Sequence, residues 1–217
     1  MTEEEIKMVA KQLRKPQGEF ATEIGKKMNE GNLQINKYAI AELNTQPGET
    51  ILEIGMGNGF FVKDIVSIDN SINYYGCDFS EDMINQASML NEQFVKNGQV
   101  QFHLSNANKL PLENASINKV LTINTLYFWD DTTVVLNELK RVLKPAGEVV
   151  IAIRPKDAME TYPVTKYGFN TFSAKDLEDL LTKNGFTLQN TLEVEEKEME
   201  FLDGTMKDEF VIVRASV

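Results

Sequence analysis

The sequence contains very few of the residues that build disulfides and metal centres. Its 217 residues include one cysteine, Cys77, and one histidine, His103. A single cysteine excludes an internal disulfide, and this pair of residues cannot supply a multi-cysteine zinc or iron–sulfur site. No metal site is therefore predicted.

Long apolar runs and positive charge are also scarce. No run approaches the roughly 18 apolar residues of a membrane span, and residues 1–15, MTEEEIKMVAKQLRK, lack the apolar centre of a signal peptide. We therefore expect a cytoplasmic protein without a membrane partner. Lys and Arg number 22 against 33 Asp and Glu, a formal net charge of −11. This charge repels phosphate backbones, so a nucleic-acid partner is disfavoured.

The chain does carry a regular alternation of apolar patterns. Residues 1–47 have helical spacing and predict an N-terminal helical extension, while residues 48–217 predict one α/β domain. The predicted strands are 50–54, 73–78, 99–104, 118–124, 147–154, 187–198 and 206–215, and the main helices are 59–69, 80–97, 131–143 and 173–184. This order favours a Rossmann-like, doubly wound, mainly parallel seven-stranded sheet. Asp203–Gly204 predicts a hairpin turn that makes the last strand antiparallel.

Three glycines follow the first predicted strand in the stretch ETILEIGMGNGFF, residues 49–61. Glycine allows positive φ and close approach of a ligand to the backbone. The spacing is G-x-G-x-G, and Phe60 stands where a dinucleotide fingerprint requires its last glycine. Glu53 would repel a pyrophosphate at this strand end but would suit a ligand that carries an ammonium group.

These residues resemble the first motif of the class I S-adenosylmethionine-dependent methyltransferases, [D/E]-x-G-x-G-x-G. The resemblance implies S-adenosyl-L-methionine as the cofactor and S-adenosyl-L-homocysteine as the product. Asp78, in YYGCDFSEDM, matches the family's acid for the ribose hydroxyls, and Asn106 with Ala107 matches its adenine-binding segment. The cofactor-binding residues implied in this way are Glu53, Gly55, Met56, Gly57, Gly59, Asp78, Phe79, Met83, Asn106, Ala107 and Asn124.

Two further segments extend the resemblance to about residues 48–154. INTLYFWDD is similar to the family's fourth strand end, and ELKRVLKPAGEVVIA, residues 138–152, is similar to its E-x-x-R-V-L-K-P-G-G segment. The resemblance to the family's fourth strand end makes Asn124 and Tyr127 the candidate catalytic residues. His103 is interpreted as a structural or surface residue rather than a base.

The connection after the fifth predicted strand is unusually long and rich in aromatic residues. We expect residues 155–172 to form a substrate-side insertion that, with the N-terminal helices, covers the methyl acceptor. The candidate substrate-binding residues are Tyr127, Arg154, Tyr162 and Tyr167.

The leading hypothesis is methyl transfer to a small molecule. The alternatives are a tRNA or protein methyltransferase, a non-catalytic module that binds the cofactor, and a nicotinamide oxidoreductase, which Phe60 and Glu53 disfavour. The identity of the acceptor, the need for a general base and the oligomeric state stay open at this point.

Overall fold

The computed structural model describes residues 1–195, 199–201, 204–206 and 209–217. The helices are α1 (Glu3–Arg14), α2 (Ala21–Gly31), α3 (Leu33–Leu43), α4 (Val62–Val66), α5 (Glu81–Leu90), α6 (Glu92–Lys96), α7 (Thr132–Val142), α8 (Lys156–Glu160) and α9 (Ala174–Lys183). The strands are β1 (Thr50–Ile54), β2 (Asn73–Asp78), β3 (Val100–Leu104), β4 (Ile117–Ile123), β5 (Leu143–Ile153), β6 (Thr187–Glu195), β7 (Met199–Phe201), β8 (Gly204–Met206) and β9 (Glu209–Ser216). None of the described helices is both long and apolar enough to cross a lipid bilayer.

Seven of the described strands form one sheet in the order β3-β2-β1-β4-β5-β9-β6. Strands β1 to β5 pair in parallel, and β9 lies antiparallel between β5 and β6. The predicted doubly wound sheet with an antiparallel C-terminal strand is therefore confirmed. The strand order reverses between β1 and β4, which places a ligand crevice at the carboxyl ends of these strands.

Several predicted boundaries move, each for a local reason. The predicted helix 59–69 narrows to α4, because Gly59 has a positive φ of +69° that a helix does not accept. The predicted helix 80–97 divides into α5 and α6 at Asn91, whose side chain donates to the carbonyl oxygens of Gly59 and Ala87. Of the predicted Asp203–Gly204 turn, Asp203 lies outside the described residues, as do residues 196–198 of the predicted sixth strand.

The core consists of two apolar clusters, one on each face of the sheet. One cluster joins α7 and α9 to the sheet through Leu136, Leu139, Leu177 and Leu181. The other joins α3 and α4 to the sheet through residues such as Ile35, Ala39, Leu43 and Ile65. Helix α3 is therefore part of the helical layer that packs on the sheet, whereas α1 and α2 reach the carboxyl ends of the strands.

The glycine loop turns sharply at the end of β1. Gly55, Gly57 and Gly59 all have positive φ, which only glycine adopts without strain. The amide of Gly55 donates to the carbonyl oxygen of Cys77 at 2.7 Å, which ties the loop to the end of β2. The neighbouring β4 connection packs so close to Gly55 that a Cβ there would lie 2.2 Å from Thr125 Cγ2.

Replacing Gly55 with alanine is expected to destabilise the protein more than replacing Gly57. Both positions have positive φ, +70° and +58°, so each alanine costs about 1 kcal/mol in backbone strain. Only Gly55→Ala also creates an overlap, since a Cβ at Gly57 meets nothing within 4 Å. Overpacking adds about 1–3 kcal/mol. Urea denaturation compares the free energies of unfolding, and equal values for the two variants would contradict this packing.

Candidate functional site

A chamber of about 260 Å³ opens at the carboxyl ends of the parallel strands. It lies at the predicted crevice, and the N-terminal helices cover it. Nine of the eleven predicted cofactor-binding residues line it, namely Glu53, Gly55, Met56, Asp78, Phe79, Met83, Asn106, Ala107 and Asn124. Gly57 and Gly59 shape the loop at its wall without lining it.

Glu53 is buried at the end of β1, with 5% of its surface exposed. The hydroxyl of Tyr74, on the adjacent strand, donates to Glu53 Oε2 at 2.6 Å. Burial raises the pKa of Glu53 to about 7; the hydrogen bond from Tyr74 opposes this rise, and the nearby Asp78 carboxyl adds to it. Glu53 therefore changes its charge near neutral pH.

Asp78 is the second buried carboxyl group and lies at the end of β2. Its Oδ2 accepts from the amide of Gly57 at 3.1 Å, and its Oδ1 accepts from the amide of Ser80 at 2.8 Å. Burial raises the pKa of Asp78 to about 6, and these backbone donors oppose the rise. Asp78 thus connects the glycine loop to the N-terminus of α5, which Ser80 caps through Met83.

The β2–β3 side of the chamber combines an apolar wall with an exposed amide. Phe79 lies under the Lys15 ammonium, which is 5.6 Å from the ring centroid. Asn106 is exposed, and its Oδ1 accepts from the amide of Asn108 at 3.2 Å. Cys77 also lines this side; burial raises the pKa of its thiol to about 11, so the thiol stays protonated at neutral pH.

The β4 side is held by a chain of hydrogen bonds that begins at Asn124. Asn124 has a φ of +55°, and its Nδ2 donates to Asn32 Oδ1 at 3.1 Å. The Tyr127 hydroxyl lies 3.0 Å from Asn124 Oδ1, and it accepts from the amide of Arg154 at 2.5 Å. Tyr127 is 2% exposed, and burial raises its pKa well above the usual value.

A smaller chamber of about 80 Å³ adjoins this side of the main chamber, and both are lined by Asn124, Asn32 and Phe128. Three of the predicted substrate-binding residues, Tyr127, Arg154 and Tyr162, line it. The other lining residues are Leu13, Met28, Gly31, Met159, Val164 and Phe169. We call this space the side chamber.

Tyr167 is the predicted substrate residue that lines neither chamber. Its hydroxyl donates to Glu3 Oε1 at 3.2 Å, and the Lys7 ammonium lies 5.4 Å from its ring centroid. Tyr167 therefore connects the insertion to α1. His103 also lines neither chamber and stacks on Tyr75, with 5.9 Å between the ring centroids, which agrees with the structural interpretation.

The sequence did not indicate the residues that approach the chamber from its N-terminal cover. Arg14 Nη2 bridges to Asp130 Oδ1 at 2.9 Å, the Ser80 hydroxyl donates to the carbonyl oxygen of Pro16, and the amide of Gly18 donates to Asp82. Asn29, Asn32 and Asn36 also line the chamber. Asn29 lies on α2, Asn32 between the two helices and Asn36 on α3, so the spacing within a single helix could not have revealed this polar face.

The chamber suits a cationic ligand without phosphate. Within the described chain, Arg14 is the only cationic residue that lines it, and Arg14 already pairs with Asp130. Glu53 and Asp78 supply two buried carboxyl groups beside a loop that exposes its backbone. S-Adenosylmethionine carries an ammonium group, a sulfonium and ribose hydroxyls, so the residues present fit this cofactor.

Comparisons with known proteins agree with this chemistry. Residues 52–151 match a family described as "Methyltransferase domain". The chain is 30% identical over 151 residues to O-methyltransferase rstn1 of Aspergillus nomiae, covering 66% of this chain and 67% of that protein. It is 31% identical over 155 residues to O-methyltransferase resE of Aspergillus sclerotiorum, covering 67% of this chain but only 58% of the relative.

A solved structure of similar fold supports the same assignment. The S-adenosylmethionine-dependent methyltransferase from Aquifex aeolicus superposes with a TM-score of 0.70 at 20% identity, covering 100% of this chain and 99% of that one. This likeness concerns the fold, while the family match and the relatives concern the sequence. The chain belongs to the class I S-adenosylmethionine-dependent methyltransferases.

Proposed function

We propose that the protein methylates a small, largely apolar molecule that binds in the side chamber. The observation that carries this proposal is the position of that chamber, which meets the main chamber at Asn124 and has a mostly apolar and aromatic lining. Its volume of about 80 Å³ suits a compact acceptor. The names of the two fungal O-methyltransferases and the net charge of −11 also support a small molecule rather than a nucleic acid.

The cofactor supplies an activated methyl group, so the chain's task is to position two molecules and to exclude water. Glu53 would hold the ammonium group, and Asp78 would accept from the ribose hydroxyls. Phe79 and Met83 would supply an apolar surface for the adenine, while Asn106 and the amide of Ala107 would bind its polar edge. Gly55 and Met56 would present the loop backbone to the ligand, and Gly57 and Gly59 shape that loop.

Asn124 and Tyr127 hold the end of the main chamber where the acceptor enters. Their hydrogen bonds fix the ends of β4 and β5 relative to each other. Tyr127 acts as a donor and not as a base, because its hydroxyl is buried and its pKa is raised. Neither histidine nor lysine lines the two chambers within the described residues.

Two segments form the cover in this proposal. Residues 1–31, with α1 and α2, close the main chamber through contacts to Asp130, Asp82 and Ser80, of which the exposed Arg14–Asp130 ion pair contributes little to the closed state. The insertion at residues 155–172 supplies Met159, Tyr162 and other walls of the side chamber. Arg154 stands at its start, and its Nη2 donates to the carbonyl oxygen of Gly31 at 2.7 Å.

A methyl-transfer assay tests the proposed acceptor class. Purified protein is incubated with methyl-labelled cofactor and separate pools of phenols, enols, thiols, total tRNA and protein. We expect label only in a small-molecule pool. Phe169→Trp, which enlarges a ring of the side chamber alone, should reduce this transfer at least tenfold while leaving the affinity for S-adenosylhomocysteine within about threefold. Label confined to tRNA or protein would contradict the proposal.

The proposed role of Asp78 predicts a specific loss of cofactor affinity. Asp78→Asn keeps an oxygen for one backbone donor but removes the charge and an acceptor for the ribose hydroxyls. Hydrogen bonds to a charged group contribute about 1.5–3 kcal/mol, so S-adenosylhomocysteine should bind roughly 10- to 150-fold more weakly. Asp64→Asn, an exposed carboxylate on α4, is the control. Calorimetric titration measures the affinity of both variants for S-adenosylhomocysteine. Equal affinities of Asp78→Asn and Asp64→Asn would show that Asp78 does not bind the cofactor.

A further inference from the structure

Tyr74 reaches Glu53 diagonally across two strands. In the parallel pairing of β1 with β2, the register partner of Glu53 is Gly76, while the partner of Tyr74 is Ile51. The Tyr74 ring therefore extends along β2 past Gly76 to place its hydroxyl 2.6 Å from Glu53 Oε2. Tyr74 is 1% exposed, so water does not compete for this hydrogen bond.

Gly76 and Phe102 hold the Tyr74 ring in this position. A Cβ at Gly76 would lie 2.7 Å from Phe102 Cδ1 and 3.1 Å from Tyr74 Cε1, so only glycine leaves space for both rings. The Phe102 ring packs edge-on against Tyr74, with 6.3 Å between centroids and 73° between planes. The close packing leaves the hydroxyl aimed at one carboxylate oxygen.

The direction of this hydrogen bond favours the charged form of Glu53. Burial and the neighbouring carboxyl of Asp78 both oppose ionisation of Glu53, and Tyr74 is the group that opposes them. Burial also raises the pKa of Tyr74 itself well above its usual value, and Cys77 and Asp78 add to that rise, so Tyr74 only donates. A donated hydrogen bond stabilises a carboxylate more than a neutral carboxylic acid.

We propose that Tyr74 is a positioning residue that holds Oε2 of Glu53 and favours its carboxylate form, so that Oε1 receives the ammonium group of the cofactor. The inference rests on the proposed role of Glu53 and extends it to a residue that does not line the chamber. Tyr74 acts through Glu53, so its removal changes the pH range over which the cofactor binds.

The test compares Tyr74→Phe with Tyr75→Phe. Tyr75 is adjacent in sequence but stacks on His103 at the other face, so it serves as the matched control. The affinity for S-adenosylhomocysteine is measured from pH 5.5 to 9 by calorimetry or by the fluorescence of Trp129, the single tryptophan, which lines the chamber. The wild-type affinity should decline below about pH 7, the pKa of Glu53.

For Tyr74→Phe we expect this decline to begin about 1 pH unit higher, as follows from the loss of one hydrogen bond to a carboxylate. Binding would then be roughly fivefold weaker at pH 7, roughly tenfold weaker at pH 5.5 and within about threefold of the wild type at pH 9. Tyr75→Phe should follow the wild-type curve. In a Glu53→Gln background, adding Tyr74→Phe should leave the pH profile unchanged.

The outcomes separate this inference from the proposed function. Phenylalanine keeps the ring, and thermal unfolding at pH 6, where Glu53 is mostly protonated, verifies that Tyr74→Phe folds. An equal loss of affinity at every pH, or an unshifted profile, would overturn the role of Tyr74 while leaving the cofactor site intact. Absence of binding by the wild-type protein at any pH would overturn the proposed function and this inference with it.

Discussion

Burying the carboxylates of Glu53 and Asp78 at the ends of neighbouring strands is unfavourable without a positive partner, and the rest of the site depends on that burial. Their pKa values rise to about 7 and about 6 because burial penalises the charged forms. The folded chain therefore holds more protons than the unfolded chain from about pH 4 to 7. The stability that these two groups contribute is present at low pH and is lost as the pH rises through their folded-state pKa values. A cationic ligand removes this penalty, which links cofactor binding to stability.

The surrounding elements keep the two carboxyl groups in place and leave them accessible to one kind of ligand. The glycine loop donates the amide of Gly57 to Asp78, and β2 donates the Tyr74 hydroxyl to Glu53. The β4 connection packs Thr125 against Gly55, which prevents any larger residue at that turn. The N-terminal cover adds neutral amides such as Asn32, and its one cationic lining residue among the described residues, Arg14, is paired with Asp130. The result is a chamber that selects by charge on one side and by shape on the other.

The sequence predicted the sheet because its strands are encoded locally. Periodicity locates the strand ends that carry Glu53, the glycines and Asp78, the fold brings these ends together, and the cofactor roles of these residues come from the resemblance to the family. The contacts of the cover could not be predicted in this way. Asn32 meets Asn124 across 92 residues, and Arg14 meets Asp130 across 116, so both depend on how helices pack.

Tyr74, Tyr167 and Asn91 show the same limit at single residues. The sequence does not predict that the hydroxyl of Tyr74 contacts Glu53 on the neighbouring strand. This contact depends on the space that Gly76 leaves for the Tyr74 ring. Tyr167 was assigned to the substrate from composition, whereas the path of its segment takes it to Glu3. The break at Asn91 follows from a side-chain contact with the glycine loop rather than from helix propensity.

The most direct test of the central claim is a count of protons exchanged when S-adenosylmethionine binds at pH 6.5. Calorimetric titrations in buffers of different ionisation enthalpy give this number. If a cationic ligand meets Glu53 and Asp78 as carboxylates, binding should release up to about one proton per ligand, because their raised pKa values leave both groups partly protonated at this pH before binding. Binding without proton exchange, or with proton uptake, would contradict the account.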